Sequence, residues 1–268
     1  MRDRYAVIGN PVAHSKSPEI HTLFARQTGQ DIEYSRLLAP LDSFAATVKR
    51  FIQENGCGLN VTIPFKFDAF ELSTRLSDRA RMAGAVNTLR FENDKVIGDN
   101  TDGAGLVADI TRNAGISLSG SRILLLGAGG AASGVMLPLL EQKPELVHIA
   151  NRNENRAKEM AVRFSAYGPV RSSGYGGLGQ TFDVVINATS TGLHHARPPV
   201  PGDVFTEKTL ALDMVYADEP TVFMTFAQQS GATVRDGFGM LVEQAAESFF
   251  IWRGVRPVTE SVFSFFGR

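Results

Sequence analysis

The 268 residues suffice for one large or two medium domains with a substantial core. Hydrophobic residues make up 43% and charged residues 21%, with a net charge of −1, an ordinary globular composition that gives no support for nucleic acid or an anionic membrane as partner. The single cysteine, Cys57, excludes an intrachain disulfide and any multi-cysteine metal site, so no metal is expected. No apolar run approaches the roughly 20 residues of a membrane span. Met1-Arg2-Asp3-Arg4 leads directly into a strand without a signal-peptide core, so the expected compartment is the cytoplasm.

Residues 5–8 read as a strand, stopped by Gly9-Asn10-Pro11. In His14-Ser15-Lys16-Ser17-Pro18, a serine followed by proline signals a helix start, with Ser17 at N-cap and Pro18 at N1. That gives Ser17 a structural task. Ser15 has none, which leaves its hydroxyl to a ligand. The helix should reach Thr28 and stop at Gly29; a strand over 32–37 and an amphipathic helix over 41–52 follow.

Alternation over 59–63 puts Leu59, Val61 and Ile63 on one strand face and Asn60 and Thr62 on the other, with Pro64 ending the strand. Lys66 then lies just past a strand's C-terminal end, where open α/β sheets bind ligands. A lysine there is commonly a solvated charge; its polar neighbours Asn60 and Thr62 argue for a site. Residues 85–89 and 95–97 read as hairpin partners. In Asp99-Asn100-Thr101-Asp102-Gly103, Thr101 or Asn100 caps a helix over 103–113 that Gly115 stops. Asp102 either complements that helix's dipole or carries chemistry.

In Arg122-Ile-Leu-Leu-Leu-Gly127-Ala128-Gly129-Gly130-Ala131-Ala132, an aliphatic strand runs into G-x-G-x-x-A and then a helix over 129–140. The spacing suits a dinucleotide: a tight turn, close backbone approach to a pyrophosphate, and a helix N-terminus aimed at it. A second strand over 145–150 ends at Asn151-Arg152-Asn153-Glu154-Asn155-Arg156. Arg152 and Arg156 are able to clamp a 2′-phosphate, while Glu154 is expected to open a helix over 154–164 that buries Ala157, Met160, Ala161 and Phe164. NADP is therefore favoured over NAD.

Gly174-Tyr-Gly-Gly-Leu-Gly179 matches G-x-G-x-x-G literally, but the strand over 183–186 follows it instead of a helix, so it reads as a flexible connection. Small residues over 187–192, including Thr189 and Ser190, would let backbone lie against a cofactor sugar. The adjacent His194 and His195 read as loop residues, not ligands. A strand over 210–215 carries Met214 near its end and Tyr216 just past it, and a helix over 221–229 follows. The last long helix, over 237–252, places Met240 and Gln244 on one face and Leu241, Ala245, Phe249 and Trp252 in an apolar stripe. Domain boundaries are expected near 101 and 236, dividing the chain into 1–101 plus 237–268 and 102–236, with a helix at each crossing.

Ser15-Lys16-Ser17-Pro18, Asn60-Val61-Thr62-x-Pro64-Phe65-Lys66, Gly84-Ala-Val-Asn87-Thr88, Asp99-Asn100-Thr101-Asp102-Gly103, the glycine turn, Asn151-Arg152, Asn187-Ala-Thr189-Ser190, Asp213-Met214-x-Tyr216 and Asp236-Gly237-x-Gly239-Met240-Leu241 together resemble the shikimate dehydrogenase family, in its order and across nearly the whole chain. The resemblance implies an α/β protein of two domains: a catalytic domain formed by both chain ends, and an inserted Rossmann domain. It implies NADP-dependent interconversion of shikimate and 3-dehydroshikimate in aromatic amino acid biosynthesis, by a monomer or homodimer. By position it places Ser15, Ser17 and Tyr216 at the substrate carboxylate and Asn60, Thr62, Asn87 and Gln244 at the ring hydroxyls. Lys66 and Asp102 would be the catalytic pair. Gly127 to Ala131, Asn151, Arg152, Asn153, Arg156, Thr189, Ser190, Met214, Gly237 and Met240 would hold the cofactor. Asn153 departs from the family's usual threonine, which alters a hydroxyl contact to the 2′-phosphate. Serine at 17, where some quinate-using relatives carry threonine, favours shikimate. The alternatives are a quinate/shikimate enzyme using NAD, a folate-type methylene dehydrogenase, and a non-catalytic NADP-binding sensor; the paired serines argue against the folate enzyme.

Overall fold

The computed structural model describes residues 2–194 and 196–268. Of the His194-His195 pair, His195 falls outside the described residues, and His194 ends a short 3-10 turn, Ser190–His194. The chain divides into two compact units, residues 1–105 with 242–268, and residues 106–241.

The first unit is built on a mixed sheet of β1 (Asp3–Gly9), β2 (Ile32–Leu38), β3 (Gly56–Val61), β4 (Arg75–Leu76), β5 (Thr88–Glu92) and β6 (Lys95–Asp99), in the order β2-β1-β3-β5-β6-β4. β1 runs parallel to β2 and β3, through crossovers containing α1 (Ser17–Thr28) and α2 (Phe44–Gln53). β3 and β5 pair antiparallel, as do β5 and β6. Side-chain alternation explains why β1 is apolar throughout. Ala6 and Ile8 face a core with Phe44, Val48, Phe51, Leu59, Val61 and Phe65, while Tyr5 and Val7 face another with Val12 and Tyr34. Gly29 ends α1 at φ 65°, the left-handed cap that glycine adopts without strain.

The alternation expected through Ile63 stops early. β3 ends at Val61, the chain turns over 63–65, and Ile63 is 57% exposed. The turn leads into α3 (Lys66–Leu72), followed after β4 by α4 (Asp78–Ala83), neither of them anticipated. Ser77 caps α4 by accepting from the N–H of Ala80, and Gly84 closes it at φ 64°.

α5 (Asp102–Ala108) continues as a wider π turn over Asp109–Asn113, instead of one α-helix to 113. The division between units falls within α5, and again within α9 (Phe238–Arg253), a few residues past the positions expected from sequence. α10 (Glu260–Phe265) follows.

In the second unit, β7 (Arg122–Leu126), β8 (Leu146–Ala150), β9 (Val170–Ser173), β10 (Val184–Asn187), β11 (Leu210–Asp213) and β12 (Thr233–Arg235) form an all-parallel sheet in the order β12-β11-β10-β7-β8-β9. Counted from β7, this is the 3-2-1-4-5-6 order of dinucleotide-binding sheets, with its switch point between β7 and β10. α6 (Gly130–Glu141), α7 (Glu154–Phe164) and α8 (Val222–Gln229) lie in its connections. The four aliphatics Ile123 to Leu126 are fully buried, as a strand covered on both faces requires. α7 buries Ala157, Met160 and Phe164, but Ala161 is only half-buried. The literal glycine motif forms a short 3-10 turn at Tyr175–Gly177, not a featureless connection.

Candidate active site

Register assembles the site in the first unit. Asn60 on β3 is paired with Thr88 on β5, and Thr88 with Asp99 on β6. The residues that flank these positions, Asn87 and the Asn100-Thr101-Asp102 turn, therefore meet at one end of three adjacent strands. The N–H of Val61 donates to Asn87 O and that of Asn87 to Asp99 O, fixing their backbones. Lys66 opens α3 and Asp102 opens α5.

Lys66 Nζ donates to Asp102 Oδ2 at 2.5 Å, and Asn87 Nδ2 donates to Asp102 Oδ1 at 2.8 Å. The Asp102 side chain is 8% exposed and that of Lys66 23%. A buried carboxylate is tolerated only when its oxygens are satisfied, and here both are. Asn100, not Thr101, supplies the local cap: its Oδ1 accepts from the N–H of Asp102 at 3.1 Å. Thr101 is freed for the site. Its N–H donates to Asn87 Oδ1 at 2.8 Å, and its hydroxyl lies 3.3 Å from Gln244 Oε1. Gln244 also accepts from Asn87 Nδ2 at 3.4 Å. Lys66 Nζ has no hydrogen-bond partner other than Asp102 among the described residues, so the ammonium retains donors for a substrate oxygen.

The two serines exchange their expected tasks. Lys16, not Ser17, occupies the N-cap of α1, and Ser17 is its first helical residue, buried at 4% exposure. The hydroxyl of Ser15 takes the local bond, accepting from the N–H of Ser17 at 3.3 Å and donating to Ser17 Oγ at 3.1 Å. Arg36, ion-paired with Glu19, holds the carbonyl of Ser15. Thr62 is half-buried, with its methyl against Gly9, where a Cβ would come within 2.4 Å of it. Tyr216 belongs to the second unit, half-buried just beyond β11.

The remaining candidate residues gather in the second unit. α6 starts after Gly129 with no side-chain cap, so its first-turn N–H groups keep their donors. A Cβ at Gly129 would meet nothing within 4 Å, which leaves an open backbone surface beside Ala128, Gly130 and Ala131. Gly127, at φ 108°, packs on Thr189; Ser190, itself exposed, begins the turn that follows. Gly237 lies directly on the Met214 carbonyl. Met240 is buried near the start of α9. Arg152 and Arg156 are exposed beyond β8 and form no ion pair among the described residues. Asn153 is committed elsewhere: its Oδ1 caps α7 by accepting from the N–H groups of Asn155 and Arg156, while Asn151 Nδ2 donates to Asn153 O. An uncapped helix N-terminus with two such guanidiniums is a donor set that fits a phosphorylated dinucleotide.

Residues 7–89 match the shikimate dehydrogenase substrate binding domain, 109–197 the shikimate / quinate 5-dehydrogenase domain and 237–262 the shikimate 5′-dehydrogenase C-terminal domain. A shikimate dehydrogenase (NADP(+)) of Janthinobacterium sp. (strain Marseille) is 59% identical over 97% of this chain and 96% of its own length. The chain belongs to the shikimate dehydrogenase family. Among solved structures of similar fold, an Ael1 enzyme from Pseudomonas putida superposes with a TM-score of 0.94 at 47% identity, covering 98% of this chain and 97% of that one. The shikimate 5-dehydrogenase of Thermus thermophilus, solved in complex with NADP(H) and shikimate, gives 0.87 at 32% identity, with 98% and 97% covered.

In this shikimate dehydrogenase family member, sequence reasoning missed three hydroxyls of the polar cluster: Thr88, Thr101 as a cluster member, and Ser248. Ser248 Oγ accepts from Asn60 Nδ2 at 2.9 Å and lies 2.8 Å from Thr88 Oγ1. One signal was available. Ser248 sits four residues after Gln244, on the same face of the helix.

Proposed function

We propose that this protein catalyses the reversible NADPH-dependent reduction of 3-dehydroshikimate to shikimate, an oxidoreductase reaction at a CH–OH group that serves aromatic amino acid biosynthesis. The observation that carries the reading is the Lys66–Asp102 pair, set among amide and hydroxyl groups suited to a polyhydroxylated ring. Ser15 and Ser17 would bind the substrate carboxylate together with Tyr216; Asn60, Thr62, Asn87 and Gln244 would bind its hydroxyls. Arg152 and Arg156 would hold the 2′-phosphate, and the first turn of α6 the pyrophosphate.

NADPH, when bound, supplies the hydride that the carbonyl carbon accepts. Everything else falls to side chains. Reduction leaves negative charge on the carbonyl oxygen, and a donor within hydrogen-bond reach must deliver a proton there. Lys66 delivers it, and takes it back when shikimate is oxidised. Asp102 aims the ammonium and is itself held by Asn87, so the lysine need not search for its orientation. The reading also has the enzyme in the cytoplasm as a monomer or homodimer with no nucleic-acid partner; the net charge of −1 supports the last point. No helix among the described residues is long and apolar enough to cross a membrane.

Initial rates followed by the absorbance of reduced nicotinamide, with shikimate or quinate and NADP or NAD, test the proposal. Shikimate with NADP should give the highest kcat/KM. A preference for quinate or NAD would favour the broader enzyme, and absence of turnover in all four combinations would leave a binding protein.

A further inference from the structure

Tyr34, on β2, has no place in the reaction as described, yet its phenol is buried and hydrogen-bonded to a candidate substrate-binding residue. Its hydroxyl lies 2.7 Å from Asn60 Oδ1. Asn60 Nδ2 faces the carbonyl of Asn87 at 3.4 Å, with Ser248 Oγ at 2.9 Å and Thr88 Oγ1 at 3.2 Å. A carbonyl only accepts, so the nitrogen of Asn60 must lie on that side, and its oxygen must face Tyr34 as the acceptor of the phenol hydrogen. Both amide hydrogens are then spent within the protein, and Oδ1 is left with one lone pair for a ligand hydroxyl. The phenol ring is clamped as well. The His21 imidazole stacks on it at 4.2 Å and 5°, with Phe24, Phe249 and Trp252 around the histidine. Burial raises the pKa of Tyr34 well above 10, opposed by the nearby hydroxyl of Ser17.

We propose that Tyr34 is a positioning residue that fixes the Asn60 carboxamide with its oxygen toward the substrate. The inference rests on the substrate reading above. Without the phenol hydroxyl, Asn60 loses the bond that holds its acceptor side, and binding of the ring hydroxyl weakens, while hydride transfer and the dinucleotide site are untouched.

Tyr34→Phe keeps the stacked ring and deletes one oxygen. The expected result is a KM for shikimate raised roughly tenfold, the loss expected for one buried hydrogen bond, with kcat and the KM for NADP within about threefold of wild type. In an Asn60→Ala background the same change should have no further effect, because Tyr34 acts through Asn60. Three outcomes overturn the proposal: an unchanged shikimate KM, equal rises in both KM values with a lowered Tm, or full additivity with Asn60→Ala. Wild-type enzyme that fails to oxidise shikimate would instead defeat the functional reading on which the proposal stands.

Discussion

Lys66 and Asp102, separated by 36 residues, are joined by a 2.5 Å bond between the first residues of two helices. Neither side chain has freedom to wander. Lys66→Ala should lower kcat by roughly 10²–10⁴ in both directions, the usual contribution of a positioned proton donor. Asp102→Asn should lower kcat by a smaller factor, because the ammonium remains but loses its anchor. Steady-state kinetics with purified variants decides the point. Turnover of Lys66→Ala within about fivefold of wild type would remove the lysine from the chemistry.

Beyond β8, Arg152 and Arg156 project guanidiniums with no ion-pairing carboxylate among the described residues. Each charge-assisted bond to a 2′-phosphate contributes about 1.5–3 kcal/mol, so either arginine replaced by alanine should raise the KM for NADP roughly tenfold or more and leave that for NAD unchanged. Asn153 should behave differently. Its carboxamide caps α7, and Asn153→Ala should cost about 1 kcal/mol of stability with little change in coenzyme preference. Thermal unfolding and coenzyme kinetics on the same three variants separate the two roles. A strong loss of NADP preference in Asn153→Ala would show that this residue also touches the phosphate.

What the sequence disclosed, and what it hid, follows physical lines. The aliphatic run into the glycine turn and the helix over 154–164 were legible, because burial on both strand faces and a complete amphipathic stripe leave strong local patterns. β9 was not. Val170-Arg-Ser-Ser carries one aliphatic residue and is held as an edge strand by pairing with β8. α4 did advertise itself, with Ser77 before it and Gly84 after it, but six residues are too few for periodicity to register. The serine pair shows a subtler limit. A serine before a proline signals a helix start, yet which hydroxyl completes the turn depends on backbone angles fixed by Arg36 gripping Ser15 from another strand. The β3–β5 register, not local spacing, brings the hydroxyl of Thr88 to Asn60, and Ser248 reaches Asn60 from α9, a contact that its spacing from Gln244 alone does not disclose.

Gly237 presses against the backbone of Met214: a Cβ there would sit 2.3 Å from the Met214 carbonyl oxygen. A backbone carbonyl just past a strand cannot swing aside as a side-chain end would. Gly237→Ala should therefore displace the Met214 segment, destabilise the protein by about 1–3 kcal/mol and raise the KM for NADP. Denaturant unfolding monitored by circular dichroism gives the first quantity and kinetics the second. Wild-type stability in this variant would mean that the two segments separate easily.

His21 is fully buried, neither ring nitrogen has a hydrogen-bond partner in the described structure, and its aromatic surroundings hold its pKa down to about 3, chiefly by desolvation. In the unfolded chain the same group titrates near 6.5. Above that value the imidazole is neutral in both states and imposes no penalty. As pH falls from 6.5 toward 3, the unfolded state takes up a proton that the native state refuses, and stability drops by about 1.4 kcal/mol per unit. At about pH 5 the loss from this one residue should approach 2 kcal/mol. His21→Phe retains an aromatic ring against Tyr34 and abolishes the titration. Urea unfolding at about pH 8 and about pH 5 should therefore show wild type losing roughly 2 kcal/mol more between the two conditions than the variant does. The comparison is of differences, so any change in absolute stability from the substitution cancels. Equal losses in both proteins would mean that His21 is protonated within the folded core.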